Sequence, residues 1–328
     1  MKADTELIRR LIHGAVRFSE SNGEYTFSRF TGEQRKVYLA PERFSIRAES
    51  CAGMRLEFET DAASFRFSGR IEPGSSRLFY WFDVIVNGYL RGHFGSENRE
   101  EQPEFSYEMK LDPGMKHVSV YFPGLSKVIL RELEFISASC VTPVKKKKTI
   151  ICYGDSITQG YDARYASLAY PNQLAEGLDA EVYNKAIGGE IFHPELTRFP
   201  DPVKPDLITV AYGTNDWIHS AAEDFRSHVS GFFRNLNGIY PDVPVLVILP
   251  VWRTKCETLI TAIGSFADMH GEIRKVCAQY PQIRLIDGLT LIPHREECFS
   301  PDVLHPNDFG FQFMGKNLLR AISELKIF

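Results

Sequence analysis

The chain has no run of about 18 consecutive apolar residues, the length a helix needs to cross a bilayer, so no membrane-spanning helix is expected. It has no excess of positive charge either. Lys plus Arg total 38 against 42 for Asp plus Glu, a formal net charge of −4 at pH 7, which leaves no polycationic surface for nucleic acid or anionic lipid. Its six cysteines (Cys51, Cys140, Cys152, Cys256, Cys277 and Cys298) form no CxxC pair and no metal-ligand spacing. They read as reduced, structural thiols, an expectation that goes with a cytoplasmic location and no bound metal. The amino terminus is interrupted by Asp4, Glu6, Arg9 and Arg10 and lacks the apolar core of a secretory signal. There is no HExxH, no phosphate-binding GxxxxGK[ST] loop and no GxGxxG at a strand-to-helix junction, so no metal or nucleotide cofactor is expected. What remains, 328 residues with 44% hydrophobic and 24% charged content, is a globular composition in a chain long enough for two domains.

The hydrophobic pattern changes once along the chain. From about Val16 to Ile136 apolar residues recur with a period of two, as in "MRLEFET", "SFRFSGRI", "EFSYEMKL", "KHVSVYF" and "VILRELEF". "FYWFDVIVNGYLRGHF" reads as a hairpin about Asn87-Gly88, a dipeptide suited to the positive φ angles of a tight turn. Residues 1–144 are therefore expected to form a β-sandwich or jelly-roll-like domain, with the first dozen residues as a short helix packed on it. Beyond Thr149 the apolar runs "TIICYG", "DLITVAYG", "VPVLVILP" and "IRLIDG" alternate with longer helical stretches. That alternation predicts an α/β domain over residues 145–328, a parallel sheet covered by helices. Lys145 to Lys148, between the two, read more simply as a solvated linker than as an anion-binding patch.

Four short segments at strand ends or in nearby loops carry the polar groups of an acyl-transfer site. Gly154-Asp155-Ser156 supplies a hydroxyl where a strand gives way to a helix. "YNKAIGGE" supplies backbone N–H groups at Gly188 and Gly189, and "YGTND" supplies the Asn215 amide. "SPDVLHP" puts Asp302 three residues ahead of His305, so the carboxylate can reach Nδ1 and leave Nε2 facing the serine. Asp155, Trp217, Trp252 and Arg253 lie beside these segments and are candidate substrate-binding residues. The alternatives are packing for the tryptophans and a hydrogen-bonding strut for Asp155. His193, His219 and His294 lie in loops with no partner evident in sequence.

"GDSITQG", Gly189 of "NKAIGGE", "GTND" and "DVLHP" resemble, in order and spacing, the four signature blocks of the SGNH (GDSL) hydrolases. The resemblance covers the carboxy-terminal domain and implies a flavodoxin-like SGNH hydrolase fold. It makes Ser156 the nucleophile, His305 the base and Asp302 its orienter, and it makes the Ser156 N–H, Gly189 and Asn215 the oxyanion donors. Ile157 replaces the leucine of GDSL and keeps the apolar anchor. Gly189 is preferred to Gly188 because an acidic residue follows it. Ala186 stands where many members have another glycine and is given no role.

An amino-terminal sandwich joined to such a domain is similar to the two-domain carbohydrate esterases of family two. The resemblance therefore implies a cofactor-independent serine esterase that removes acetyl groups from sugars or oligosaccharides, its partner being a small-molecule ester. Alternatives on the same scaffold are an acyltransferase, and a thioesterase or lysophospholipase. A carbohydrate-binding protein with a silent hydrolase domain is the non-enzymatic reading.

Overall fold

The protein is described here by a computed structural model covering residues 1–327, and the chain forms two compact units. Met1–Thr31, Tyr38–Lys147 and Arg164–Ser167 make the first; Gly32–Val37, Lys148–Ala163 and Leu168 onward make the second. Two short segments, 32–37 and 164–167, thus belong to the unit opposite the one that surrounds them in sequence.

The first unit opens with helix α1 (Thr5–Leu11), capped by Asp4, whose side chain accepts from the Leu7 N–H at 2.8 Å. Among the described residues its strands are β1 (Ile12–His13), β2 (Arg17–Ser21), β3 (Glu24–Ser28), β4 (Arg55–Thr60), β5 (Ser64–Pro73), β6 (Tyr80–Val86), β7 (Tyr89–Ser96), β8 (Glu104–Lys110), β9 (Lys116–Tyr121), β10 (Ser126–Ile136) and β11 (Val141–Pro143). They pair antiparallel in two sheets. One runs β1-β4-β9-β6-β7, with β11 also on β4, and the other β2-β3-β10-β5-β8. On β5 the residues Phe65, Phe67 and Ile71 are buried while Arg66, Arg70 and Glu72 point outward, the period-two pattern realised as a half-buried strand. The sheets face each other through aromatic side chains. Phe58 of one meets Phe65 and Phe135 of the other edge-on, at 5.5 and 5.0 Å between ring centres. Each such pair adds about 0.5–1.5 kcal/mol beyond the area it buries. Asn87 and Gly88 turn the β6–β7 hairpin with φ of 51° and 82°, the left-handed pair that a type I′ turn requires.

Two features depart from the sequence reading. Helices α2 (Gly32–Val37) and α3 (Glu42–Ala48) interrupt the span read as all-β, in a stretch where the alternation lapses. The lysine run is also more than a solvated linker. The Lys146 side chain is only 7% exposed and its Nζ lies 2.5 Å from Glu57 Oε1, in a buried cluster completed by Arg55 and His117. A charge can be buried only with such partners. Residues 164–167 are clipped to the first unit by the fully buried Asp83, whose Oδ2 accepts from both the N–H and the hydroxyl of Ser167.

The second unit has five parallel strands, β12 (Lys148–Gly154), β13 (Ala180–Asn184), β14 (Leu207–Ala211), β15 (Val245–Ile248) and β16 (Ile283–Ile286), in the order β13-β12-β14-β15-β16. Numbered within the unit this is 2-1-3-4-5, the flavodoxin-like order. The sequence reading missed β13, a short edge strand. Besides α2, the unit's helices among the described residues are α4 (Ser156–Gln159), α5 (Tyr170–Gly177), α6 (Thr214–His219), α7 (Ala222–Ile239), α8 (Phe266–Cys277) and α9 (Asp308–Glu324). In this topology the sheet's crevice opens at the carboxyl ends of β12 and β14, where the strand order reverses. Ser156 follows the first of these strands and Asn215 the second.

Beneath that edge the unit buries two polar clusters. Lys185 and Asp201 form an ion pair with both side chains fully buried. Gln34 of α2 completes it: its Oε1 accepts from Lys185 Nζ at 3.1 Å, and its Nε2 donates to Asp201 at 3.1 Å and to the Phe199 carbonyl at 3.2 Å. The second cluster is acidic: Asp155, Glu190 and Asp216, all at most 2% exposed, with Tyr212 donating to Glu190 at 3.4 Å. Burial, reinforced by the neighbouring carboxylates, pushes Asp155 up to about 7 and Asp216 up to about 8.

Two outcomes are expected. Gln34→Ala strips a buried ion pair of its neutral partner and should destabilise the second unit by about 2 kcal/mol or more in urea unfolding; a change within about 0.5 kcal/mol would show the pair to be self-sufficient. Asp216 takes up its proton more readily folded than unfolded, so its contribution falls as pH rises from about 4 to about 8. Asp216→Asn keeps an acceptor for the Phe192 N–H and removes the titration. Its stability relative to wild type should therefore improve by about 1 kcal/mol or more between pH 5 and pH 8, and a pH-independent difference would refute the assignment.

Candidate active site

Strand β12 ends in a glycine because a Cβ at Gly154 would collide with the Thr158 side chain and the Ala211 carbonyl. Asp155 then leaves the strand in extended conformation and caps α4, its Oδ1 accepting from the Ile157 N–H at 3.0 Å. Ser156 is the first residue of that helix, so its hydroxyl stands at the helix start.

The opposite wall comes from the loop before α9. Asp302 Oδ1 accepts from the N–H groups of Leu304 and His305 at 3.0 and 3.1 Å, which bends the loop back on itself with Val303 at φ 49°. The other oxygen, Oδ2, lies 2.6 Å from His305 Nδ1. His305 Nε2 is 2.8 Å from Ser156 Oγ. Although partial burial works against ionisation, the hydrogen bonds from the imidazole and the two backbone N–H groups hold the Asp302 carboxyl well below the usual carboxylate range. Asn307, two residues on, caps α9 through Gly310 and donates to the Glu297 and Phe299 carbonyls, anchoring the loop on its far side.

Two further donors come from the other segments. The turn Ile187–Glu190 closes with a 3.1 Å bond from the Glu190 N–H to the Ile187 carbonyl, and Gly189 occupies its left-handed position at φ 80°. The two glycines are not equivalent. The Gly188 N–H is taken by Gln159 Oε1 at 2.6 Å, whereas the Gly189 N–H has no hydrogen-bond partner among the described residues. Asn215 uses one amide hydrogen on the Glu190 carbonyl at 2.8 Å, which orients the side chain and leaves its second N–H to donate elsewhere.

The candidate substrate-binding residues come out differently. Asp155 is buried and engaged as the cap, which is the strut reading. Trp217 is fully buried, donates to the Gly264 carbonyl at 3.0 Å and packs edge-on against Phe266, so it offers no face for a sugar ring. Arg253 donates to the carbonyl and hydroxyl of Thr214 at 3.2 and 3.1 Å, bracing the helix that carries Asn215. Trp252 stacks on His294 and lines a cavity of about 540 Å³ shared with His270, Arg274 and Asp287, a cavity that includes neither Ser156 nor His305. Trp217 and Arg253 are held by packing contacts and hydrogen bonds because side-chain direction past a strand is set by packing, which the sequence pattern does not carry.

Several residues that build the site were not singled out from sequence. Gln159 occupies the Gly188 N–H, and Tyr161 stacks on the His305 ring at 5.3 Å and 28°. Glu190 receives Asn215 through its carbonyl and His193 through its carboxylate at 3.1 Å. Asp216 accepts from the Phe192 N–H at 3.2 Å. Asp162 Oδ2 lies 3.8 Å from His305 Nδ1. Their signal was adjacency, since Gln159, Tyr161 and Asp162 continue the same stretch as Ser156. Asp162, Asp302 and His305 also bring three metal-ligating atoms within 4.8 Å of one another. The 2.6 Å separation of Nδ1 and Asp302 is that of a hydrogen bond, shorter than the roughly 3.3 Å between two atoms that each bind one ion tetrahedrally at about 2 Å. The trio fits a shared proton better than a metal.

Comparison with known proteins agrees with this geometry. Residues 152–313 match the model of the GDSL-like lipase/acylhydrolase family. No curated protein sequence is a significant match. Among solved structures, the chain is similar to a salicylyl-acyltransferase from a tetracycline biosynthetic pathway, with 22% identity over 96% of this chain and 94% of that one and a TM-score of 0.82. It is also similar to a GDSL-like lipase from Bacteroides ovatus (18% identity, 96% and 95% covered, TM-score 0.77). A family two carbohydrate esterase from Clostridium thermocellum, solved with cellohexaose, is 18% identical over 85% of this chain and 94% of that one, with a TM-score of 0.66. At these identities the structural likeness is one of fold. The strand order, the four signature segments and the family match fall on the same residues: the unit that holds Ser156 has the fold of its GDSL-type structural relatives, and residues 152–313 of the chain match the GDSL-like lipase/acylhydrolase family.

Proposed function

We propose that the protein is a serine esterase that removes short acyl groups, acetyl foremost, from sugar or oligosaccharide esters. The observation that carries the reading is the hydrogen-bonded series Ser156 Oγ, His305 Nε2, His305 Nδ1 and Asp302 Oδ2, at 2.8 and 2.6 Å. His305 takes the serine proton as the oxygen attacks the ester carbonyl, and Asp302 stabilises the imidazolium that forms. The tetrahedral oxyanion is received by the Ser156 N–H, the Gly189 N–H and the second Asn215 amide hydrogen. His305 then returns the proton to the leaving alcohol, and water repeats the sequence on the acyl-enzyme. None of these steps draws on a cofactor.

The sugar-ester substrate is supported by the carbohydrate esterases among the structural relatives, one of which was solved with an oligosaccharide. A second reading, acyl transfer to a hydroxyl other than water, is favoured by one observation: the salicylyl-acyltransferase matches across both units, over 96% of this chain. Chemically the two differ only in which oxygen attacks the acyl-enzyme. Partition of product between free acid and a new ester, measured with and without sugar and alcohol acceptors, decides between them.

Ser156→Ala and His305→Ala are each expected to lower kcat by about 10⁴-fold or more, and the double variant should be little worse than either, because both disable one step. A fluorophosphonate should label the wild type and not Ser156→Ala. Labelling that survives the substitution would move the nucleophile elsewhere. For acyl length, p-nitrophenyl acetate should be turned over at least about 10-fold faster than the octanoate. Equal or faster octanoate turnover would remove the short-acyl reading and leave the lipase or thioesterase alternatives.

A further inference from the structure

We propose that Asp162 is a second carboxylate for His305, a positioning residue that shares with Asp302 the task of holding the imidazole and stabilising its charge. The inference rests on the serine-esterase reading and deepens it. Asp162 Oδ2 lies 3.8 Å from Nδ1, the nitrogen that Asp302 engages at 2.6 Å. The two carboxylates differ in solvent access. The Asp162 side chain is 12% exposed, as is that of His305, while that of Asp302 is 39% exposed. The less solvated charge is the less screened one.

The backbone explains how Asp162 comes to be there but not why it is an acid. Helix α4 ends after one turn at Gly160, whose φ of 93° folds the chain back, and the N–H groups of Gly160 and Tyr161 both donate to the Ser156 carbonyl at 3.0 and 2.9 Å. Tyr161 then lies over the His305 ring, and Asp162 follows at φ 66°. Asparagine or glycine can adopt that left-handed position as aspartate does, and the carboxylate brings a negative charge within 3.8 Å of His305 Nδ1.

Ser156 meets Nε2, Asp302 and Asp162 meet the Nδ1 side, and Tyr161 covers a face. Asp155 feels the imidazolium charge from below, itself influenced by Glu190, and Arg253 is the nearby cation acting on Asp155 and Asp302. An anion near the ring favours its protonated form, so removing Asp162 should let His305 become a free base at lower pH. Asp162 also lies close enough to accept a hydrogen bond from Nδ1–H after a small side-chain rotation when Asp302 is lost. The two acids are then partly redundant.

The test uses the full chain carrying Asp162→Asn, Asp162→Gly, Asp302→Asn and the Asp162→Asn/Asp302→Asn pair. Asparagine and glycine both tolerate the left-handed backbone, so a shared effect reports the lost charge and not misfolding. With p-nitrophenyl acetate, both Asp162 variants are expected to move the acid limb of kcat/KM down by about one pH unit. They should lower kcat by about 3- to 10-fold with KM within about twofold. In the Asp302→Asn background the same substitution should cost at least about tenfold more than it does in wild type. An unmoved acid limb together with equal costs in the two backgrounds would overturn the proposal. An NMR titration of His305 in the same variants reads the charge without any turnover. A midpoint that falls on loss of Asp162 supports the assignment even if the esterase reading fails on substrate, and an unchanged midpoint refutes it even if the enzyme is active.

Discussion

A serine hydroxyl at neutral pH attacks nothing unless a neutral imidazole nitrogen is held against it, and the 2.8 Å contact between Ser156 and His305 is the constraint to which the second unit is built. The two residues are 149 positions apart and come from opposite ends of an α/β sheet's chain order. Only the convergence of strand ends in a 2-1-3-4-5 sheet brings the turn after the first strand next to the loop before the last helix. Each partner is then locked locally: Ser156 by the cap that Asp155 places on a four-residue helix, His305 by a loop that Asp302 folds with one oxygen and orients with the other. Neither lock depends on the other, so the contact is assembled from two rigid pieces.

Precision of that kind carries a cost in buried polar groups. The Ile187–Glu190 turn is held by Gln159 on the Gly188 N–H and by Asn215 on the Glu190 carbonyl, and the buried Lys185–Asp201 ion pair starts two residues earlier in the chain. Three carboxyl groups, Asp155, Glu190 and Asp216, are buried here, and the raised proton affinity of Asp155 and Asp216 follows from that confinement. Such groups are destabilising compared with a hydrocarbon core of the same volume. Their presence under the crevice, while β5 and its neighbours in the first unit are packed with phenylalanine, marks where the chain trades stability for geometry.

What was legible in the sequence was whatever a local backbone demand imposes. Gly154, Gly189 and the Asp302-x-x-His305 spacing are answers to turns and helix starts, so they can be read from a few adjacent residues. The alternation of β5 and the Asn87-Gly88 turn are legible for the same reason. The failures lie one level higher. Trp217 and Arg253 were offered as cleft residues because they follow strands, yet packing turned one into the core and the other onto Thr214. Lys146 was read as solvated because its partner Glu57 is far away in sequence. Strand β13, with the sequence AEVYN, has no continuous apolar run like those of its neighbours, and α2 lies in one unit by sequence neighbourhood and in the other by contact.

The same reasoning limits how far the fold can speak for the substrate. On the proposed mechanism, the relay from Ser156 through His305 to a carboxylate activates an oxygen nucleophile, and it is indifferent to whether the second nucleophile is water or a sugar hydroxyl. An acyltransferase and carbohydrate esterases can therefore share this chain's architecture at 22% identity and below without contradiction. Discrimination has to come from groups that touch the acyl chain or the acceptor. With Asp155, Trp217 and Arg253 committed to structure, those groups are to be sought among side chains other than the ones that flank the signature segments.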